Sequence, residues 1–150
     1  MSTAASQQVA AVLAMIAERS GLVFPDHRRT TAGATIAEFL AERDLRGVHD
    51  LATSGHLPAL LERLVVHESF FDRDLDQMTF VDDVVLPELG QSSDVPLRVW
   101  SAGCAGGEEA YTLAFMLAKR GLFDRAAVLG TDLSEAALDR ARRGRYRAWS

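Results

Sequence analysis

The chain has 150 residues, a formal net charge of -5 at pH 7 and a sequence isoelectric point of about 5.3. This length allows one full domain or two small ones. Its 48% hydrophobic and 25% charged content can build a core, which excludes disorder as the main state. Because acidic residues outnumber basic ones, no surplus of lysine and arginine exists to displace counterions from phosphates, and nucleic-acid binding is not expected.

The cysteine count and the hydropathy of the sequence exclude further classes of protein. The single cysteine, Cys104, forms neither an internal disulfide nor a cysteine metal cluster, and the scattered histidines lack metal-ligand spacing, so no metal site is predicted. There is no apolar run long enough for a membrane span and no signal-peptide pattern at the N-terminus. We therefore expect a cytoplasmic protein without direct membrane insertion.

Apolar residues recur at helical spacing through the first part of the chain. The stripes predict helices around Val9–Ile16, Ile36–Leu40, Leu57–Leu64 and Phe80–Val85, the last ending before Pro87. Gly21 is placed to end the first helix. Thr35 followed by Glu38 has the pattern of a capping box that opens the second helix. The sequence thus predicts a small all-helical domain over residues 1–90, with a linker to about residue 95.

The second part of the chain alternates between strand and helix patterns. In chain order it predicts a strand at Leu97–Ser101, a helix at Glu108–Lys119, a strand at Ala126–Gly130 and a helix from the Ser134 cap to about Arg143. This order is typical of the start of a doubly wound α/β domain, here over 96–150. A sheet usually has about five or six strands, so we expect the chain to stop partway through this domain. The open sheet edge would favour self-association.

The segment between the predicted strand and helix, Trp100–Glu109, is rich in glycine and ends with Glu108 and Glu109. Glycines allow tight turns and close approach of the backbone to a ligand. Two carboxylates at the helix start would repel a phosphate and attract an amino group, which favours a cationic nucleoside such as S-adenosylmethionine. Two alternatives remain: the glycines form a plain turn, or one glutamate only stabilises the helix dipole.

Two further segments carry candidate residues. Asp132 follows the second predicted strand, where a carboxylate can accept hydrogen bonds from ribose hydroxyls. The alternative is a helix-capping aspartate, although Ser134 could serve as that cap. The segment 67–74, H-E-S-F-F-D-R-D, interrupts an apolar stripe with polar and aromatic residues, and taken alone it is the end of an amphipathic helix with an Arg–Asp pair.

These segments together resemble a known family. Residues 97–114, LRVWSAGCAGGEEAYTLA, resemble the cofactor loop of the chemotaxis receptor methyltransferases (CheR-type). Segments 67–74, 130–134 and 141–146 resemble the motifs that flank this loop in the family. The resemblance implies a helical N-terminal domain followed by the first part of a Rossmann-like class I methyltransferase domain. It also implies methyl transfer from S-adenosylmethionine to glutamate side chains of a chemoreceptor-like protein, with S-adenosylhomocysteine as product.

The resemblance also assigns roles to individual residues. It places Ala102, Gly103, Glu108, Glu109, Asp132 and Leu133 at the cofactor, with a glutamate on the amino group and the aspartate on the ribose. It also places His67, Ser69 and Arg73 among the cofactor-binding residues, near the methyl-transfer site, with Arg73 as the catalytic residue. Two positions depart from the family pattern. Asp72 stands between the phenylalanine pair and Arg73, and His67 occupies a position where a small or amide residue is usual.

Three functional hypotheses follow. The first is that the parent protein is an S-adenosylmethionine-dependent protein-glutamate O-methyltransferase. The second is a non-catalytic module, derived from the same fold, that senses the cofactor or binds a partner; Asp72 and the short sheet favour it. The third, a dinucleotide-dependent oxidoreductase, is disfavoured because the glycines do not follow the Gly-x-Gly-x-x-Gly spacing.

Overall fold

The computed structural model describes residues 3–66, 68–91 and 95–147. It divides into two compact units, Met1–Val65 and Val66–Ser150. The α-helices are α1 (Thr3–Ser20), α2 (Asp26–Glu42), α3 (Val48–Thr53), α4 (Leu57–Leu64), α5 (Leu75–Phe80), α6 (Leu86–Gly90), α7 (Glu108–Lys119) and α8 (Glu135–Arg143), and the strands are β1 (Leu97–Ala102) and β2 (Ala126–Thr131). In the part of the chain that the structure describes, no helix combines the length and the apolar character needed to cross a bilayer.

The first unit is a bundle of four helices around one apolar core. Its fully buried side chains are Val12, Ile16, Ile36, Phe39, Leu51 and Leu60. They come from all four helices. Stripes of apolar residues at helical spacing predict α1, α2 and α4, whereas the six-residue α3 is not predicted. As predicted, α1 ends before Gly21, whose φ of 72° permits the left-handed turn there.

The predicted capping box in this unit is wrong. Thr35 lies in the middle of α2, and its hydroxyl donates to the carbonyl of Thr31 at 3.2 Å. The helix begins instead at Asp26, directly after Pro25, whose carbonyl accepts from the amides of Arg28 and Arg29. A proline with extended backbone sets the helix start here, so no cap is needed nine residues later.

The helical segment before the sheet also differs from the prediction. Helices α5 and α6 are joined by a π-helix over Val81–Val85, so the helix continues through Pro87 instead of ending before it. Proline inside a helix removes one backbone donor, and the wider turn lies immediately N-terminal to α6. This segment lies in the second unit, ahead of the linker predicted near residues 90–95. Residues 92–94 of that linker lie outside the described residues, and the separation into domains 1–90 and 96–150 stays a prediction.

The α/β part of the second unit follows the predicted order. Strands β1 and β2 pair in parallel, with Leu97 opposite Ala126 and Ala102 opposite Thr131. Helix α7 has the predicted bounds, and α8 begins after Ser134, whose hydroxyl oxygen accepts from the amide of Ala137 at 2.9 Å. The α/β fold class and the Ser134 cap are therefore confirmed. Because parallel strands end at the same edge, the segments that follow β1 and β2 lie side by side.

A cluster of ion pairs around the buried Asp82 joins the π-helix to the end of α7 within the second unit. Asp82 accepts from the Lys119 ammonium at 2.9 Å and from the Arg120 guanidinium at 2.8 Å. The hydrogen bond from Arg120 has the largest effect, and together with that from Lys119 it lowers the pKa of the Asp82 carboxyl to about 2. The neighbouring Asp83 accepts a hydrogen bond from the Arg120 guanidinium, and its side chain is largely exposed. Asp82 therefore carries most of the linkage to α7.

Replacing Asp82→Asn should lower the thermal midpoint at pH 7, because the two cations lose their charged partner. The contribution of Asp82 is present above its unfolded pKa near 3.8 and is lost as the pH falls through about 2, since its folded pKa is depressed. The difference between wild type and variant should therefore shrink between pH 4 and pH 2. Thermal unfolding over this range measures it, with Asp83→Asn as the matched control. Equal midpoints for wild type and Asp82→Asn at pH 7 would show that the cluster does not stabilise the fold.

Candidate functional site

The carboxylate of Asp132 ties the glycine loop after β1 to the chain after β2. Its Oδ2 accepts from the amide of Ala105 at 2.8 Å, and its Oδ1 accepts from the amide of Ser134 at 2.9 Å. The Thr131 carbonyl also accepts from the amides of Gly103 and Cys104. The loop is thus held at the carboxyl ends of both strands, where ligands bind in open α/β sheets.

Two glycines let this loop pack more closely than other residues would. Gly107 has a φ of 95°, and a Cβ atom there would lie 2.7 Å from the Cβ of Ala141. A Cβ atom on Gly106 would lie 2.8 Å from Oε2 of Glu108. Any side chain at either position would displace α8 or the Glu108 carboxylate.

The two glutamates at the start of α7 have different surroundings. Glu108 is buried, and its Oε2 has no hydrogen-bond partner among the described residues. Glu109 is exposed, and its Oε1 accepts from the hydroxyl of Ser101 at 2.6 Å. An unpaired buried carboxylate oxygen is costly, so Glu108 retains an acceptor for a donor that the described residues do not supply.

A cavity of about 200 Å³ lies between the glycine loop and the segment that precedes α5. It is lined by Val66, Glu68, Ser69, Arg73, Asp74, Gly103, Ala105 and Glu109. Three carboxylates face one guanidinium in this lining, so the cavity favours a ligand with positive charge. All its lining residues belong to the second unit.

The segment carrying Arg73 is held on both sides. Phe71 packs its ring edge-on against Tyr146, with centroids 4.9 Å apart, and the amide of Asp72 donates to the Thr112 hydroxyl at 3.3 Å. The Arg73 guanidinium donates to the carbonyl of Glu68 at 2.8 Å. Its side chain is 51% exposed, so the remaining N–H groups are accessible.

The predicted site residues fall into three groups. The cavity is lined by four of them, Ser69, Arg73, Gly103 and Glu109. Four others lie outside the lining of the cavity, namely Ala102, Glu108, Asp132 and Leu133. His67 lies outside the described residues. Asp132 is not the cap of α8, because Ser134 takes that position, and its carboxylate instead accepts from the amides of Ala105 and Ser134. A carboxylate offers about four acceptor positions, more than the two used here. The roles of these residues toward a ligand stay predictions.

Cys104 has the surroundings of a packing residue. It is buried, and its Sγ lies where a Cβ atom on Gly130 would come within 2.9 Å. Burial raises the pKa of the Cys104 thiol, which disfavours the reactive thiolate. Within the described ranges, no group of three or more histidine, cysteine or acidic residues could hold a metal ion.

Comparison with known proteins assigns this part of the chain to a family. The family model described as CheR methyltransferase, SAM binding domain matches residues 67–150, more than half of the chain. The chain belongs to this family. S-adenosylmethionine is accordingly the cofactor of this domain, and the resemblance noted in the sequence is confirmed.

Curated relatives extend the match. A Pseudomonas putida protein provisionally named methyltransferase Cher3 is 37% identical over 101 residues, which cover 67% of this chain and 35% of that protein. The chemotaxis protein methyltransferase of Borreliella burgdorferi is 34% identical over 95 residues, or 58% of this chain and 34% of that protein. The Listeria monocytogenes enzyme of the same name is 36% identical over 92 residues, with 61% and 35% coverage. The chain thus spans about a third of the length of these relatives.

The residues present fit S-adenosylmethionine. The cofactor carries an ammonium and a sulfonium, and the cavity presents Glu68, Asp74 and Glu109. The unpartnered Oε2 of Glu108 is a further acceptor at the same helix start. A dinucleotide would bring its pyrophosphate to this acidic helix start, so the charge of the site argues against the oxidoreductase hypothesis.

Replacing Asp132→Ala should destabilise the protein, because the amides of Ala105 and Ser134 lose their acceptor. We expect a loss of about 1–3 kcal/mol in the free energy of unfolding, the usual cost of leaving such donors unsatisfied. Chemical denaturation measures it. Asp139→Ala on the exposed face of α8 is the control, with a change of about 0.5 kcal/mol or less. If the two variants lost equal stability, Asp132 would not be the anchor of the loop.

Proposed function

We propose that the parent protein transfers a methyl group from S-adenosylmethionine to glutamate carboxylates of a chemoreceptor-like protein. The observation that carries this proposal is the acidic cavity that brings Arg73 to the glycine loop of a CheR-type cofactor domain. The names of two relatives support it, since both are chemotaxis protein methyltransferases. A cytoplasmic location is part of the proposal.

The chain's own residues bind and orient the reactants. Glu109, with the unpaired oxygen of Glu108, would accept hydrogen bonds from the amino group of the cofactor, and Asp132 would accept them from its ribose. When bound, S-adenosylmethionine supplies a methyl group activated by attachment to a sulfonium. A substrate carboxylate would accept that methyl group, with S-adenosylhomocysteine as the leaving group. No proton is transferred, so alignment and exclusion of water supply most of the rate.

Arg73 is the residue that we propose to orient the substrate carboxylate. Its guanidinium is held to the Glu68 carbonyl through one N–H, which leaves other donors for a carboxylate. A guanidinium pairs with a carboxylate in a fixed planar geometry and so aims one oxygen at the methyl group. Ser69 lines the same cavity. The family resemblance, and not the structure, assigns His67 to the same site.

A second candidate function is a non-catalytic module that binds the cofactor or a partner. Asp74 lies 3.9 Å from the Arg73 guanidinium, and Asp72 adds a carboxylate immediately before it. Asp74 competes with a substrate carboxylate for this guanidinium. Self-association through the edge of the sheet also stays a prediction.

Methyl transfer to a carboxylate yields an ester, which alkali hydrolyses to methanol. Incubating the full-length protein with methyl-labelled S-adenosylmethionine and receptor-containing membranes should therefore produce alkali-labile label. Arg73→Ala should lower kcat by about 10- to 100-fold, the effect of losing a charge-assisted hydrogen bond, while binding of S-adenosylhomocysteine changes little. Arg73→Lys keeps the charge without the planar fork and should lie between the two.

The same assay separates the two candidate functions. Cofactor binding without label transfer to receptors would support the non-catalytic module. Alkali-stable label would indicate an acceptor other than a carboxylate and would contradict the proposed reaction.

A further inference from the structure

Tyr146 lies after α8, in the described segment that ends at residue 147, and it reaches back to the glycine loop. Its hydroxyl donates to the carbonyl of Gly106 at 2.7 Å. The bond spans 40 residues of chain, and it meets the loop between the Asp132 anchor at Ala105 and the start of α7. The middle of the loop is therefore held by a side chain from outside the strand–loop–helix unit.

The ring of Tyr146 makes a second set of contacts. It packs edge-on against Phe71, with centroids 4.9 Å apart and an interplanar angle of 84°, and against Tyr111 at 5.6 Å and 72°. Phe71 lies two residues before Arg73, and Arg73 lines the cavity. One side chain thus contacts both the cofactor loop, through its hydroxyl, and the segment of Arg73, through its ring.

The surroundings of Tyr146 keep its hydroxyl protonated, so that it remains a hydrogen-bond donor. Burial, with the nearby negative charge of Glu108, raises the pKa of the Tyr146 phenol to about 12. The hydroxyl therefore stays protonated at any physiological pH. Space at this contact is also fixed, because a Cβ atom on Gly107 would lie 2.9 Å from the Tyr146 oxygen. The glycine at 107 and the tyrosine at 146 accommodate each other.

We propose that Tyr146 is a positioning residue that sets the distance between the cofactor loop and the Arg73 segment. It touches no reacting atom and acts through Gly106 of the loop and through Phe71 of the segment that carries Arg73. This inference rests on the proposed function. The two parts of the Tyr146 side chain have different roles. The hydroxyl maintains cofactor affinity, and the ring maintains the placement of Arg73 and hence the rate of methyl transfer.

Tyr111 provides a matched control in the same aromatic cluster. Its hydroxyl also donates to a backbone carbonyl, that of Ala141 at 3.1 Å, but this carbonyl belongs to α8 and not to the loop. Tyr111→Phe and Tyr146→Phe therefore each remove one hydroxyl and one long-range hydrogen bond. Only the second releases the loop.

The test is calorimetric titration of the full-length protein with S-adenosylhomocysteine, followed by steady-state kinetics. Tyr146→Phe should weaken binding about fivefold, which corresponds to the net value of one hydrogen bond, with kcat at saturating cofactor unchanged. Tyr146→Leu should show a similar loss of affinity and an additional fall in kcat, because Phe71 loses its edge contact. Tyr111→Phe should alter neither quantity.

The outcomes distinguish this inference from the function beneath it. If the wild type does not bind S-adenosylhomocysteine, the proposed function fails first. Wild-type binding with unchanged affinity in Tyr146→Phe, or with an equal loss in Tyr111→Phe, would overturn the positioning role. Should Tyr146→Leu not fold, the comparison of the two phenylalanine variants decides alone.

Discussion

The candidate site depends on one carboxylate, that of Asp132, which holds the loop after β1 against the chain after β2. Through the amides of Ala105 and Ser134 it joins the two strand ends, and the loop can then pass close to α8 only because glycine occupies position 107. With the loop in place, Glu108 is buried and Glu109 turns toward the cavity. The segment of Arg73 has its own supports, the Thr112 hydroxyl and the ring of Tyr146.

The distribution of charge around the cavity indicates which ligands the site can bind. Glu68, Asp74 and Glu109 face a single guanidinium, that of Arg73. An excess of carboxylates suits a cationic cofactor, and the lone guanidinium suits an anionic acceptor group. The family match supplies S-adenosylmethionine as the cofactor, and the acceptor is the part that we propose. The match covers about a third of the length of these curated relatives, so the activity of the whole protein is part of the proposal.

Local signals predicted the α/β part of the fold well and the long-range contacts poorly. The Ser134 cap and the bounds of α7 follow from residues within one turn of each helix end. The same reasoning failed at Thr35, because Pro25 had already started α2, and a capping pattern has no meaning inside a continuing helix. The contact of Tyr146 with Gly106 has no local signature, since it joins residues 40 positions apart. The resemblance of segment 141–146 to a family motif pointed to this region without indicating a partner.

The central claim is that the glycine loop and the Arg73 segment form the two walls of one cofactor cleft. Hydrogen–deuterium exchange of the full-length protein, with and without saturating S-adenosylhomocysteine, tests this claim most directly. We expect slower amide exchange on binding in peptides covering residues 103–107 and 68–74 together, with α1 unchanged. Protection of the loop alone, or of neither segment while the cofactor is bound, would contradict the account.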